Sequence, residues 1–131
     1  MSFLRKHGRP FMLEQVHPVL PCRDVTASIG FFVGRLGFTL GFQDTEQPRY
    51  AGVRRDGVEL HLQWHSQEEW SRNEGGWMIR FVVADVDALF AELSDQGVFH
   101  DHTALRDTAW GTREFAFYDP DRNGLTFYQD R

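Results

Sequence analysis

Apolar and polar side chains alternate along two neighbouring stretches near the C-terminal end of the chain. In residues 113–119, Phe115 and Phe117 fall on one face, and in residues 125–129 Leu125 and Phe127 repeat the pattern. The opposite face carries Glu114, Ala116, Tyr118, Thr126 and Tyr128. A period of two residues predicts strands with one face on a core. Pro120 ends the first strand because it lacks an N–H. The turn residues that follow are Asp121, Asn123 and Gly124, which tolerate a left-handed backbone.

Two other stretches carry apolar side chains at helical spacing, each behind an aspartate suited to cap a helix. The first helix is predicted to begin after Asp24 and the second after Asp85, and Gly37 and Gly97 are predicted to end them. The apolar faces are formed by Val25, Ile29, Phe32, Val33 and Leu36 in the first helix, and by Val86, Leu89, Phe90 and Leu93 in the second.

The remaining apolar runs predict further strands. Residues 15–22 contain Pro18 and Pro21, which confine a strand to an edge or a bulge. Asp56-Gly57 signals a tight hairpin. Strands are predicted over 38–42, 50–54, 58–64 and 77–83, and another begins at Val98–Phe99, with a polar linker over 65–76 and a loop over 100–109. In the strand 58–64, Val58, Leu60, Leu62 and Trp64 share one face, opposite Glu59, His61 and Gln63.

The order strand, helix, strand, strand, strand therefore occurs twice. This repeat predicts an α+β fold of two βαβββ modules, with module one over 15–64 and module two over 77–129, inside a single domain over 15–131. Each helix covers one face of a curved mixed sheet, so the other face must meet the sister module or another chain and form a ligand cleft. Residues 1–14 are basic at their start and are expected to form a flexible arm.

Composition and charge narrow the class of partner. The net charge of −5 argues against nucleic acid and membrane surfaces as partners and is compatible with a cationic small molecule. The aromatic share is 15%, which is enough for some rings to line a binding surface as well as the core. Cys22 is the single cysteine, so no internal disulfide is expected and a cytoplasmic location is favoured. No apolar run approaches the ~18 residues of a membrane span.

Several short sequence motifs resemble those of the glyoxalase/bleomycin-resistance/dioxygenase superfamily, and those of its bleomycin-resistance proteins most closely. The motifs are Trp110-Gly111, Arg113-Glu114-Phe115, Asp119-Pro120 and Asn123 near the end, and Arg23-Asp24-Val25 and Arg35-Leu36-Gly37-Phe38 earlier. Arg122 stands where that family usually has a glycine, which predicts a slightly different turn. The resemblance implies a homodimer that holds a flat, cationic antibiotic in a groove between two chains, without catalysis and without a cofactor.

The resemblance also raises an alternative, a metal-dependent lyase or dioxygenase of the same superfamily. Such enzymes carry four histidine or glutamate ligands, and matching positions here fall at His17, Glu59, Met78 and Thr126. Thioether and hydroxyl groups are poor ligands for a hard divalent ion. The expected outcome is no metal and no catalytic residue; if a metal is present, His17 and Glu59 are the expected ligands, and His61, Tyr128 or Glu114 could complete a rearranged site.

The same resemblance places ring-bearing residues in the groove. The predicted ligand-binding residues are Phe38, Phe42, Tyr50, Glu59, His61, Arg80, Trp110, Thr126 and Tyr128. Arg80 stands where the family often has a tryptophan, and Glu59 is expected to pair with a cationic ligand or with Arg80. For Phe38 and Phe42 the competing interpretation is core packing, and for Trp110 it is a loop ring packed over the sheet.

Overall fold

The computed structural model describes residues 5–6, 9–10, 12–74 and 76–131. The helices are α1 (Val25–Leu36), α2 (Gln67–Arg72) and α3 (Val86–Leu93). The strands are β1 (Arg5–Lys6), β2 (Arg9–Pro10), β3 (Val19–Cys22), β4 (Thr39–Gln43), β5 (Tyr50–Arg55), β6 (Val58–Trp64), β7 (Met78–Val82), β8 (Arg106–Asp107), β9 (Thr112–Tyr118) and β10 (Gly124–Asp130). Within the described ranges, no helix has the length and hydropathy needed to cross a membrane. The arm expected over residues 1–14 falls in part outside those ranges.

Two four-stranded mixed sheets form the body of the protein. Their strand orders are β3-β6-β5-β4 and β7-β10-β9-β8. Strand β3 runs parallel to its neighbour β6, and β7 runs parallel to its neighbour β10. The other neighbouring strands are antiparallel. Both modules share this order, so the predicted α+β fold of two βαβββ modules is confirmed. Strand β3, which contains Pro21, lies at a sheet edge, as its proline predicts.

Local capping sets the ends of the two module helices. Asp24 and Asp85 each accept a hydrogen bond from the backbone N–H three residues further on, as their positions predict. Gly37, at φ 74°, closes α1 in the left-handed conformation. Helix α3 ends at Leu93, earlier than predicted, and Gly97 with φ 72° lies in the turn that follows.

The segment predicted as a polar linker, 65–76, contains helix α2. Ser66 and Glu69 form a capping box at its start, in which each side chain accepts the other's backbone N–H. Trp70 is buried, and its Nε1–H donates to the carbonyl oxygen of Asp121 at 2.8 Å. The linker therefore packs against the turn of module two, because a single large ring gives this polar helix a face to bury.

The second strand of module two lies later in the chain than predicted. Val98 and Phe99 belong to no strand, and β8 (Arg106–Asp107) pairs with β9 inside the region expected to be a loop. The Phe99 ring packs against Phe90 and Phe115 at centroid distances of 4.9 and 5.7 Å. The apolar pair fills the space between α3 and the sheet with its side chains, so its β-like composition reflects burial and not ladder pairing.

Two sets of polar contacts join the modules on either side of the core. The Arg55 guanidinium donates to both carboxylate oxygens of Glu92, at 2.7 and 2.8 Å. The buried carboxylate of Asp121 accepts hydrogen bonds from Arg23 and Ser28 in the first module. These contacts fix the two sheets relative to one another and so position their uncovered faces.

Cys22 lies in the core, where burial raises the pKa of its thiol to about 12.

Candidate functional site

Each sheet has one face covered by its helix and one uncovered face, which we call the open face. Along β6, Leu60 and Leu62 are fully buried against α1, and the alternation of the strand sends Glu59 and His61 to the open face. Tyr50 of β5 and Phe42 of β4 lie beside them. The first open face therefore carries a group of rings around one carboxylate.

A chain of hydrogen bonds orders this group. The hydroxyl of Tyr50 lies 2.8 Å from Nδ1 of His61, and Nε2 of His61 lies 2.7 Å from Oε2 of Glu59. Because a carboxylate only accepts, Nε2–H donates to Glu59 and Nδ1 accepts from Tyr50. The bond from His61 lowers the pKa of Glu59, with a further contribution from His17. Glu59 is therefore held in its charged form.

His17 approaches the same carboxylate from the segment before β3. Its Nε2 lies 3.6 Å from Oε2 of Glu59, and its ring lies 4.7 Å from that of His61. The backbone N–H of His61 donates to the carbonyl oxygen of Pro18 at 2.9 Å, which fixes the segment that carries His17 next to β6. Three potential donor groups thus converge at one point of the first open face.

The second open face is built around a buried carboxylate and an arginine. Glu114 is 4% exposed, accepts a hydrogen bond from the Thr112 hydroxyl at 2.8 Å, and pairs with Arg80 at 3.2 Å. The Arg80 guanidinium also lies 4.3 Å from the ring centre of Tyr128. Within this chain Arg80 therefore pairs with Glu114, two strands away in the same sheet, and the alternative that pairs it with Glu59 of the same chain is wrong.

A hollow of about 280 Å³ opens beside this pair. Its polar and aromatic lining includes Thr126, His100, His102, Arg106, Glu114 and Tyr118. The rings of His100 and Tyr118 stack at 5.7 Å. The hollow offers a flat aromatic wall next to a guanidinium and a carboxylate, which suits a ligand that is both planar and polar.

The structure brings the predicted ligand-binding residues into two groups. Phe42, Tyr50, Glu59 and His61 share the first open face, and Arg80, Thr126 and Tyr128 share the second. Phe38 lies elsewhere: it is buried against Phe32 and lines a separate cavity of about 550 Å³ between the modules. Trp110 lies in the loop between β8 and β9 and is 68% exposed.

The sequence did not single out three residues that line this hollow: His100, His102 and Tyr118. The alternation of β9 does place Tyr118 on the same face as Glu114, so that signal was present. The two histidines lie in a segment without regular structure, where no periodicity indicates which way a side chain points.

The four-ligand metal set of the enzyme-type members does not fit this chain. His17 and Glu59 come together on the first open face, but the other two positions hold Met78 and Thr126 on the second sheet. A thioether and a hydroxyl are weak ligands for a divalent ion that polarises a substrate oxygen. No reaction step through such a four-ligand metal follows from the residues present.

Comparison with known proteins supplies an independent line of observation. Residues 14–127 match the family model described as the Glyoxalase/Bleomycin resistance protein/Dioxygenase superfamily. Proteins named bleomycin resistance protein from Geobacillus stearothermophilus and Staphylococcus aureus are 33% identical over 132 residues, covering 90% of this chain and 97% of theirs.

Solved structures agree with this. A bleomycin-binding protein from bleomycin-producing Streptomyces verticillus, complexed with copper(II)-bleomycin, is 31% identical with a TM-score of 0.74, over 92% of this chain and 100% of that one. A bleomycin resistance determinant encoded on the transposon Tn5 has a TM-score of 0.77 at 22% identity, over 91% of this chain and 99% of that one, and shows the shared fold.

Proposed function

Because this chain belongs to the glyoxalase/bleomycin resistance protein/dioxygenase superfamily, we propose that it binds and sequesters a planar, cationic antibiotic of the bleomycin type. The observation that carries the proposal is the group of rings around a charged carboxylate on the first open face. Relatives of nearly the same length carry bleomycin resistance in their names, which supports the same ligand class. Binding alone confers protection in this proposal, and the ligand leaves unchanged.

The chemistry of the first open face suits such a ligand. Phe42 and Tyr50 present nearly parallel rings with centroids 6.2 Å apart, and Phe42 is 44% exposed. Stacking on such rings contributes about 0.5–1.5 kcal/mol per ring pair, and a cation over a ring gains a comparable amount. Glu59 adds a negative charge beside the rings, so a flat cation gains both stacking and Coulomb attraction there.

The second open face complements the first. Its hollow adds the Tyr118 ring, and the same open face carries the Tyr128 ring and the polar Arg80–Glu114 pair. The hydrogen bonds and ion pairs of each open face, among the described residues, stay within their own module. We therefore propose a homodimer in which the first open face of one copy meets the second open face of its partner. This arrangement gives two grooves per dimer.

Exposed apolar side chains support the dimer. Phe42 on the first open face, and Met78 and Val82 on the second, are each 44–68% exposed. Large apolar groups exposed together are typical of association surfaces. Sedimentation at micromolar concentration should give twice the 15.3 kDa mass of the chain; a monomer would contradict the dimer. A cytoplasmic location is part of the same proposal, since Cys22 is the single cysteine and forms no internal disulfide.

Calorimetric titration with metal-free bleomycin in EDTA-containing buffer tests the binding function. One drug per chain is expected, and mass analysis should return the drug intact. Chemical modification of the drug would instead favour the enzymatic alternative. Absence of binding at about 100 μM, which corresponds to a free energy weaker than roughly −5.5 kcal/mol, would refute the proposed ligand.

Two charge-matched variants locate the site. Glu59→Gln should weaken binding several-fold at low salt and less at high salt, since salt screens exposed charge pairs. Glu68→Gln removes the same charge from the exposed surface of α2 and serves as the control. Equal affinities for the two variants would remove Glu59 from the binding site.

A further inference from the structure

We infer that His17, Glu59 and His61 form a binding site for one divalent transition-metal ion, supplied by the first module alone. Each residue offers one donor atom, and the three atoms lie within 4.8 Å of one another. This inference goes beyond antibiotic binding and stands on the geometry of the cluster, so it holds or fails independently of the proposed ligand.

The distances suit a first-row ion. Metal–nitrogen bonds of about 2.0–2.1 Å and metal–oxygen bonds of about 2.0–2.2 Å place neighbouring tetrahedral ligands roughly 3.3 Å apart. The two separations that involve Oε2 of Glu59 are 3.6 Å to His17 and 2.7 Å to His61, on either side of that value. Small rotations of three partly exposed side chains are enough to bring the donors into a tetrahedral arrangement.

The backbone holds the ligands in place. Glu59 and His61 are two residues apart on β6, so the alternation of the strand sends both to the same face. The bond from the His61 N–H to Pro18 fixes the segment that carries His17 against the same strand. Two ligands therefore stand on a rigid central strand, and the third is tied to that strand one residue from its own position.

Tyr50 serves as the outer partner of the ligand His61. Coordination requires a free lone pair on Nε2, so the ring proton must move to Nδ1. Nδ1–H then donates to the Tyr50 oxygen, which already lies 2.8 Å away. Metal-bound histidines almost always have such a partner on the second nitrogen, which fixes the tautomer and the ring orientation. The edge of the Phe42 ring, 5.3 Å from His61 between centroids, further restricts rotation.

The donor set selects the class of ion. Two imidazoles and one carboxylate suit Zn²⁺, Cu²⁺ or Ni²⁺, whereas Mg²⁺ and Ca²⁺ prefer oxygen ligands. Side-chain exposures of 29% for His17 and Glu59 and 16% for His61 leave the cluster accessible to an ion from solvent. His17 Nε2 now contacts the exposed Gln15 side chain at 2.8 Å, and this contact must be released on coordination. The remaining coordination positions face the open side of the sheet.

Titration of tag-free, EDTA-stripped protein with ZnCl₂ tests the inference. One Zn²⁺ per chain should bind, with a dissociation constant below about 100 μM. His17→Ala and Glu59→Gln should each weaken binding at least tenfold. Tyr50→Phe, which removes the outer partner but no ligand, should weaken binding about tenfold. The matched control is the double variant His100→Ala and His102→Ala, which removes the histidine pair of the other open face and should bind Zn²⁺ normally.

A spectroscopic readout identifies the donors directly. Electron paramagnetic resonance of the Cu²⁺-loaded protein should show coupling to two imidazole nitrogens, and His17→Ala should reduce this to one. Circular dichroism checks that each variant is folded; His17 lies outside the regular strands, so we expect its replacement to leave the fold intact. Absence of Zn²⁺ binding at 100 μM, or binding that His17→Ala and Glu59→Gln leave unchanged while the His100/His102 control loses it, would overturn the inference.

Discussion

Replacing Asp121 with alanine tests how the two modules are held together. Its carboxylate is 4% exposed, and Oδ1 accepts hydrogen bonds from the backbone N–H and Nε of Arg23 at 2.9 and 3.0 Å. Oδ2 accepts from the hydroxyl of Ser28 at 3.1 Å. The Trp70 indole bonds to the backbone carbonyl of Asp121, so that contact survives the substitution. The change thus removes one buried acceptor group shared by two residues of the first module.

The cost follows from what is left without a partner. The Ser28 hydroxyl is fully buried, and a buried donor without an acceptor costs about 1–3 kcal/mol. The backbone N–H of Arg23 also loses its acceptor, at a similar cost that partial contact with water reduces. The Arg23 guanidinium is 37% exposed and keeps its bond to Pro120, so it adds less than about 1 kcal/mol. Asp121→Ala should therefore reduce the free energy of unfolding by about 2–4 kcal/mol.

Urea denaturation followed by tryptophan fluorescence measures this loss as a lower midpoint at an unchanged slope. Asp121→Asn keeps an acceptor for Arg23 and can donate to the Ser28 oxygen, so it should cost less than half as much. Asp101→Ala, in an exposed loop, is the control and should stay within about 0.5 kcal/mol of the parent. If Asp121→Ala also stays within that margin, or if Asp121→Asn is equally costly, shared hydrogen bonding is not what joins the modules.

Three further outcomes are expected. A methyl group at Gly52 would overlap the Phe42 ring, whose Cδ1 would lie 2.8 Å away, so Gly52→Ala should weaken calorimetric bleomycin binding about two- to tenfold, while Gly57→Ala should not. Arg122 has φ 64°, so Arg122→Gly should relieve left-handed strain and raise the free energy of unfolding by up to about 1 kcal/mol; a lower urea midpoint would contradict this. Burial raises the pKa of Asp119 from 3.8 to about 6, so its protonated form stabilises the folded state below pH 4 and this contribution, on the order of 3 kcal/mol, is lost as pH rises to 6. The difference in unfolding free energy between the parent and Asp119→Asn across pH 3.5–6.5 should show that slope; a constant difference would refute it.

Local sequence patterns determined most of the architecture. Strand β6 has the predicted bounds, Val58–Trp64, because strict alternation marks both its faces and its ends. Asp24 and Asp85 cap their helices as predicted, since a capping side chain acts only on the next turn of chain. The family resemblance read from the motifs around Trp110 and Asp119 is confirmed by the family match over residues 14–127.

The sequence contains a signal for the start of helix α2 that the prediction of a linker did not use. Ser66 and Glu69 stand at capping-box spacing in the sequence, yet the segment lacks an apolar stripe, so its polarity favoured a linker. Trp70 is the buried residue of this helix, and its ring packs against a turn 51 residues away. No local pattern reveals a partner at that separation.

Tertiary structure alone decided which side chains meet in the candidate site. Alternation sent Arg80, Glu114 and Tyr128 to one face, but only the strand order β7-β10-β9 sets Arg80 beside Glu114. In the same way, the parallel pairing of β3 with β6 brings His17 to Glu59 and His61. Phe38 comes just after the end of α1 and is buried in the core, although the family resemblance predicted a position in the groove. A sequence specifies the face of each residue through short-range geometry, whereas contacts between strands depend on register and order, which the packing of the whole chain sets.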